Sequence, residues 1–211
     1  MTRNNWLRMA AGATAVVACG TRGSLSPPAL RDANLVYTMA STSGDVTTER
    51  ASDTGSEISG RIESSAGTLI TYRVTLARDL GVVSALLVAG TNAEGRDTLL
   101  VARTTRNLVA TRSGARDTLR VLVEGKNYVA FPMTAALYRG IIAREPGICS
   151  GFGIFVATDG EVERARCAAF DGSIILSHGI TRVLFTREGG VFHPRLIVRG
   201  SDSVRVTRSS Q

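Results

Sequence analysis

Between residues 70 and 76 the chain alternates, with Ile70, Tyr72, Val74 and Leu76 apolar and Thr71, Arg73 and Thr75 polar between them. A period of two puts one face of an extended strand against a core and the other in water. The same pattern recurs where Leu119, Val121 and Val123 surround Arg120, and where Val204 and Val206 sit among Ser203, Arg205 and Thr207. Val82 to Ala89 is apolar on both faces, which predicts a central strand or one covered on both sides. Turn signals such as Ser113-Gly114, Asp159-Gly160, Asp171-Gly172, Gly189-Gly190 and Gly200-Ser201-Asp202 fall at short intervals. Many short strands joined by tight turns predict a mostly β fold, an antiparallel meander curling into a barrel or half-barrel. The polar stretch from Thr42 to Ser56 breaks the apolar pattern and reads as a long loop.

One segment has a different period. After Pro132, the apolar residues Met133, Leu137 and Ile141 fall four apart, Tyr138 and Ile142 widen the stripe, and Pro146-Gly147 stops the run. This predicts one short covering helix over 134–144, its stripe packed into the core and Arg139 and Arg144 on the other side. The string Arg-Asp-Thr-Leu occurs at 96–99 and again at 116–119. It is either a repeated hairpin unit or a chance echo of two similar strand starts.

The amino terminus carries an address. Met1 to Arg8 contains Arg3 and Arg8 and no acid, and Met9 to Ala18 is apolar or small throughout. Ten helical residues reach about 15 Å, half of a hydrocarbon core of about 30 Å, so the run reads as a signal peptide rather than a spanning helix. Val16-Val17-Ala18-Cys19 resembles the bacterial lipobox. That resemblance implies a thioether-linked diacylglycerol on Cys19, cleavage before it, and acylation of the new amine. Several acyl chains, at about 0.8 kcal/mol per buried CH₂, make a lasting anchor. Gly20 is not the Asp that holds enteric lipoproteins in the inner membrane, so the resemblance implies an outer-membrane lipoprotein facing the periplasm. An ordinary signal peptide with an incidental cysteine is the alternative. The expected organisation is a signal peptide over 1–18, a lipidated tether over 19–33, and a single β-rich domain over 34–211.

Composition narrows the partners. The formal net charge is +7, Lys126 is the only lysine, and aromatic residues make up 5%. The arginines are spread among acids, with no basic block and no interleaved stacking rings, so a nucleic-acid partner is not supported. With Cys19 carrying lipid, Cys149 and Cys167 remain. In an oxidising compartment that pair reads as a disulfide worth about 3 kcal/mol, with free thiols or metal chemistry as alternatives. No metal or other cofactor is expected, because no Cys-x-x-Cys or His-x-x-x-His pair is present.

Catalytic motifs are lacking: there is no Gly-x-Ser-x-Gly, no His-Glu-x-x-His and no phosphate-binding Gly-x-x-x-x-Gly-Lys loop. His178 and His193 are the candidates for a general base, but each reads better as a turn or surface histidine. Glu161 and Glu163 read as an exposed charged hairpin with Arg164 and Arg166 on its other face. No catalytic residue is assigned.

Lipobox, tether, antiparallel strands and amphipathic helix are together similar in outline to lipoprotein-carrier and lipid-carrier half-barrels. The resemblance implies a non-catalytic module that binds an apolar or lipid-like ligand inside a curved sheet. Val83, Leu86, Val88, Met133, Leu137 and Ile141 are the expected lining. Two further readings stand beside it: an envelope-assembly lipoprotein that contacts other proteins through strand edges, and an envelope hydrolase. An internal cavity favours the carrier, a packed core the assembly factor, and a polar cleft joining His178 or His193 to a carboxylate the hydrolase.

Overall fold

The computed structural model describes residues 34–65, 67–79, 81–91, 97–113, 118–131, 134–145, 151–156 and 159–209. The expected signal peptide, the lipobox with Cys19, the tether, Met133 and Cys149 lie outside the described residues.

Hairpins build the first half. Strands β1 (Leu35–Ser41), β2 (Val46–Asp53), β3 (Glu57–Ser64), β4 (Thr68–Ala77) and β5 (Gly81–Thr91) pair antiparallel in chain order. From β5 the meander continues as a flap of β6 (Asp97–Arg103), β7 (Asn107–Arg112) and β8 (Thr118–Leu122). The described residues of the repeated string, 97–99 and 118–119, begin β6 and β8, the two strands that flank β7.

Strand β9 (Lys126–Ala130) meets the beginning of β5 at Gly81 and Asn127, in parallel. Gly81 has φ +73°, and a Cβ there would overlap the Asn127 backbone carbonyl, so this branch of the sheet requires glycine. Helix α1 (Ala135–Arg144) then leads to β10 (Phe152–Val156), which lies parallel to β9. Parallel neighbours need a crossover connection, and α1 supplies it. The remaining strands are β11 (Glu161–Arg164), β12 (Arg166–Phe170), β13 (Ser173–His178), β14 (Thr181–Glu188), β15 (Val191–Arg199) and β16 (Asp202–Arg208). Last of these, β16 pairs with β1.

The path across the sheet runs β11-β10-β9-β5-β4-β3-β2-β1-β16-β15-β14-β13-β12. Its two ends are consecutive in the chain, separated only by Ala165, which is buried. One segment therefore pairs with β10 through its first half and with β13 through its second. The sheet must curl for both pairings to hold, yet no ladder joins β11 to β12 side by side among the described residues. The molecule is a mostly antiparallel, curled β sheet with one helix, as the residue pattern predicts.

One expectation is corrected and one deepened. Residues 42–56 are not a long loop, because β2 occupies 46–53 and is paired along both edges. Its inward positions are Glu49 and Ala51, both fully buried. A carboxylate and a methyl group hide the alternation that betrays the other strands. Helix α1 covers the sheet as expected but is sunk into its curl, with Ala135, Ala136, Leu137, Tyr138, Gly140, Ile141 and Ile142 all buried. It packs chiefly on β15, β2, β3, β9 and β1.

Gly60 on β3 lies opposite Tyr72 on β4, and a Cβ at Gly60 would overlap the phenol ring. The ring cannot retreat, because its hydroxyl is held by Glu49 at 2.5 Å. Gly60→Ala is therefore expected to lower the free energy of unfolding by about 1–3 kcal/mol. A urea titration checks this: the midpoint should fall at unchanged slope, while the neighbouring Ser59→Ala leaves it in place.

Candidate functional site

The polar groups inside the curl are organised around α1. Glu49 lies at the start of the helix, where its Oε2 accepts the Ala136 N–H at 3.0 Å and its Oε1 accepts the Tyr72 hydroxyl at 2.5 Å. The first turn of a helix leaves N–H groups unpaired and favours negative charge. Thr134 at the N-cap donates its hydroxyl to the Phe131 carbonyl instead, at 2.7 Å. A strand distant in sequence thus caps the helix. Burial lifts the Glu49 carboxyl to about 7, against the opposing pull of its hydrogen bonds from Tyr72, Ala136 and Ala135.

Further along α1, Arg139 and Arg144 both donate to Asp53, at 3.0 and 2.6 Å. Burial alone would raise Asp53, but hydrogen bonds from Arg144 and the Gly55 N–H, with the charges of both arginines, hold it below the ordinary carboxylate range. Arg139 and Arg144, expected on the outer side of the helix, instead face β2. Beyond the last turn, Glu145 accepts from Tyr128 at 2.7 Å and from Lys126 at 2.5 Å.

Both histidines are buried, each 2% exposed, rather than lying at the surface. His178 closes the seam where the sheet's ends meet. Its Nδ1 donates to Glu163 of β11 at 2.6 Å, and its Nε2 accepts the Tyr138 hydroxyl of α1 at 3.1 Å. The two rings lie stacked 5.8 Å apart. Burial lowers the His178 pKa against the pull of Glu163, and the two hydrogen bonds occupy both ring nitrogens. His193 accepts from Arg208 at 3.3 Å through Nε2 and contacts the Tyr37 hydroxyl at 3.1 Å through Nδ1. Burial, then the charges of Arg208 and Arg139, push its pKa down to about 4.

Beside the seam is a surface pocket of about 460 Å³ lined by Arg164, Arg166 and Arg182, with Cys167, Ala168, Ser177, His178 and Gly179. Arg166 on β12 is the register partner of Ser177 on β13, and Ser177 that of Arg182 on β14. Register partners project to the same face. At a strand spacing of about 4.8 Å, the Cα atoms of Arg166 and Arg182 stand roughly 10 Å apart with Ser177 between them. Arg164 is two positions before Arg166, across the buried Ala165. None of the three guanidinium groups makes a hydrogen bond or ion pair among the described residues. Elsewhere arginines find carboxylates, as Arg112 does at Asp97 and Arg199 at Asp159.

The pocket is lined by a histidine and a hydroxyl, with the Glu163 carboxylate behind the histidine, without making a reactive set. Ser177 and His178 are neighbours on one strand and point to opposite faces. His178 has no ring nitrogen left for a substrate. Cys167 is not a free thiol, and its expected partner Cys149 lies outside the described residues. Among the described residues no group of three His, Cys, Asp or Glu side chains gathers in metal-binding geometry.

The expected apolar lining is not gathered around one space. Leu137 and Ile141 are buried in the core beneath the sheet, each 2% exposed. On β5, Val83 is 38% exposed, Leu86 is half-buried opposite the exposed Leu100, and Val88 is buried. Sequence reading missed Glu49, which resembles a loop residue, and the Arg166–Ser177–Arg182 row, which exists only through strand register.

These pKa shifts set opposing pH dependences. His193 and His178 are both depressed below 6.5, so their contribution is present above that value and is lost as pH falls below it, for His193 as pH approaches 4. Glu49 is raised from 4.5 to about 7, so its contribution is present below 4.5 and is lost as pH rises through 7. Glu49→Gln keeps an acceptor for Ala136 and a partner for Tyr72 without the charge. It is expected to raise the melting temperature relative to the parent at pH 8 and to make it fall more steeply between pH 7 and 5. Glu49→Leu orphans both partners and should cost about 1–3 kcal/mol for each buried group left unpaired. Melting curves across this pH range test both.

No family model matches the chain, and no curated protein matches it. Among solved structures it is similar to the crystal structure of a β-barrel-like protein of the domain of unknown function DUF1849 from Brucella abortus. The identity is 11% and the TM-score 0.48, with 83% of this chain and 94% of that chain covered.

Proposed function

We propose that the chain is an exported lipoprotein, anchored to the envelope through lipid on Cys19, whose curled β domain is a non-catalytic binding module. One observation carries the binding reading: α1 fills the curl of the sheet, and an arginine-lined pocket stands open to solvent beside the seam. The titratable groups that a hydrolase would use are committed to holding α1 in place, which supports the non-catalytic half of the reading. A purely apolar cargo would have to displace Leu137 and Ile141 from the core. A lipid-like ligand is therefore recognised by its polar end. A Cys149–Cys167 disulfide belongs to the same proposal, in keeping with export to an oxidising compartment.

A second reading has its own support. Among the described residues strand β8 pairs only with β7 and presents its other edge, with Leu122 68% exposed and Leu100 46% exposed on the same flap. An unpaired edge beside apolar side chains is suited to strand addition by another envelope protein.

Cys19→Ser should leave the precursor uncleaved and unlipidated, as read by mass spectrometry of its amino terminus. An unmodified Cys19 in mature wild-type protein counts against the anchor. Alkylation of unreduced protein should label neither Cys149 nor Cys167. Solvent extraction of protein purified under native conditions should release a chemically intact ligand. Recovery of its hydrolysis products would favour an enzyme, and a co-purifying protein crosslinked to β8 the assembly reading.

A further inference from the structure

We infer that Arg164, Arg166 and Arg182, with Ser177 between the last two, form a binding site for a phosphate group carried on an ester. The inference rests on the binding-module reading and names the chemistry that the module recognises. Like charges gathered on one face of a sheet repel. This row nevertheless sets two guanidinium groups on either side of one hydroxyl, with a third two residues away. The nearest carboxylate in the seam, Glu163, is already committed to His178 at 2.6 Å and is only 19% exposed. It offsets part of the positive charge without pairing any of the three arginines.

An oxyanion with three peripheral oxygens suits the arrangement. Guanidinium groups form bidentate, charge-assisted hydrogen bonds to such oxygens. Arg166 and Arg182, approaching from either side across roughly 10 Å of backbone, can each take a pair of oxygens, while the Ser177 hydroxyl donates from the strand between. The volume, about 460 Å³, exceeds the needs of a bare anion and leaves room for the esterified group. Its opening to solvent admits either a soluble phosphate ester or the headgroup of a phospholipid.

The test is a ³¹P NMR titration of the full lipidated chain in a phosphorus-free nonionic detergent, with detergent alone as control. The probes are inorganic phosphate, glycerol 1-phosphate and dihexanoyl phosphatidic acid. Protein should broaden the probe resonances, and added salt should weaken the effect. Arg166→Gln and Arg182→Gln should each weaken binding by about tenfold or more, and Ser177→Ala by less, at unchanged melting temperature. Tighter binding of phosphatidic acid than of glycerol 1-phosphate identifies a lipid headgroup as the source, and equal binding a soluble ester. Either result supports the site. No broadening, or broadening that survives the Arg166→Gln/Arg182→Gln double variant, overturns it and leaves the wider binding reading standing. Appearance of free phosphate from glycerol 1-phosphate would instead overturn the non-catalytic reading, with the site retained.

Discussion

The polar groups that α1 carries into the curl of the sheet find partners there, Arg139 Nε excepted, because a buried group left unpaired costs more than a hydrogen bond returns. That requirement accounts for the odd residues of the interior. Glu49 stands on a strand face where an aliphatic side chain would otherwise belong, and it caps the helix. Asp53, on the same strand, collects both helix arginines. Tyr37, Tyr72 and Tyr138 fill core volume with their rings and place a hydroxyl at the polar partner. An aromatic body with a polar tip serves both needs at once. The core is thus an apolar packing threaded by short hydrogen-bonded links, and α1 is held at its start, its middle and its end.

The position of α1 follows from topology. It is the crossover between the parallel strands β9 and β10, so it must pass over one face of the sheet. Because β10 carries β11, and β11 runs directly into β12 at the opposite end of the path, the same crossover brings the two ends of the sheet together. His178 spans that junction, joining β13 to β11 through Glu163 and to the helix through Tyr138. Ala165 is small and buried where the segment changes partners.

The consequences for function run in two directions. Among the described residues a helix packed into the curl occupies the space in which a carrier would hold acyl chains, and it takes His178 as a structural link while Tyr37 and Arg208 hold His193. Outside, where β12, β13 and β14 continue past the junction, no described element lies over the arginines. Charge left unpaired on that face stands apart from a chain that otherwise pairs many of its arginines with nearby acids.

Local patterning is legible wherever a strand has one buried face and one wet one. The alternation over 70–76 corresponds to β4, the apolar run over 82–89 to β5, and the fourfold spacing of Leu137 and Ile141 to α1, because these signals arise from burial acting on neighbouring residues. Chain order alone also accounts for the hairpins, since turn residues fix short connections. Residues whose partners lie far away in sequence could not be read in this way. Glu49 looks like part of a polar loop until Ala136, 87 residues on, is seen to donate to it. His178 looks like a turn residue until Glu163 and Tyr138 close around it. Arg166 and Arg182 join a single site only because β13 holds Ser177 between them, and strand register is a property of the assembled sheet. Sequence determined most of the segments that would become strands and helix, with β2 hidden by its buried Glu49. Tertiary structure decided which polar residues would be buried together and which charges would be left facing water, because desolvation and pairing act on groups brought close in space, whatever their distance along the chain.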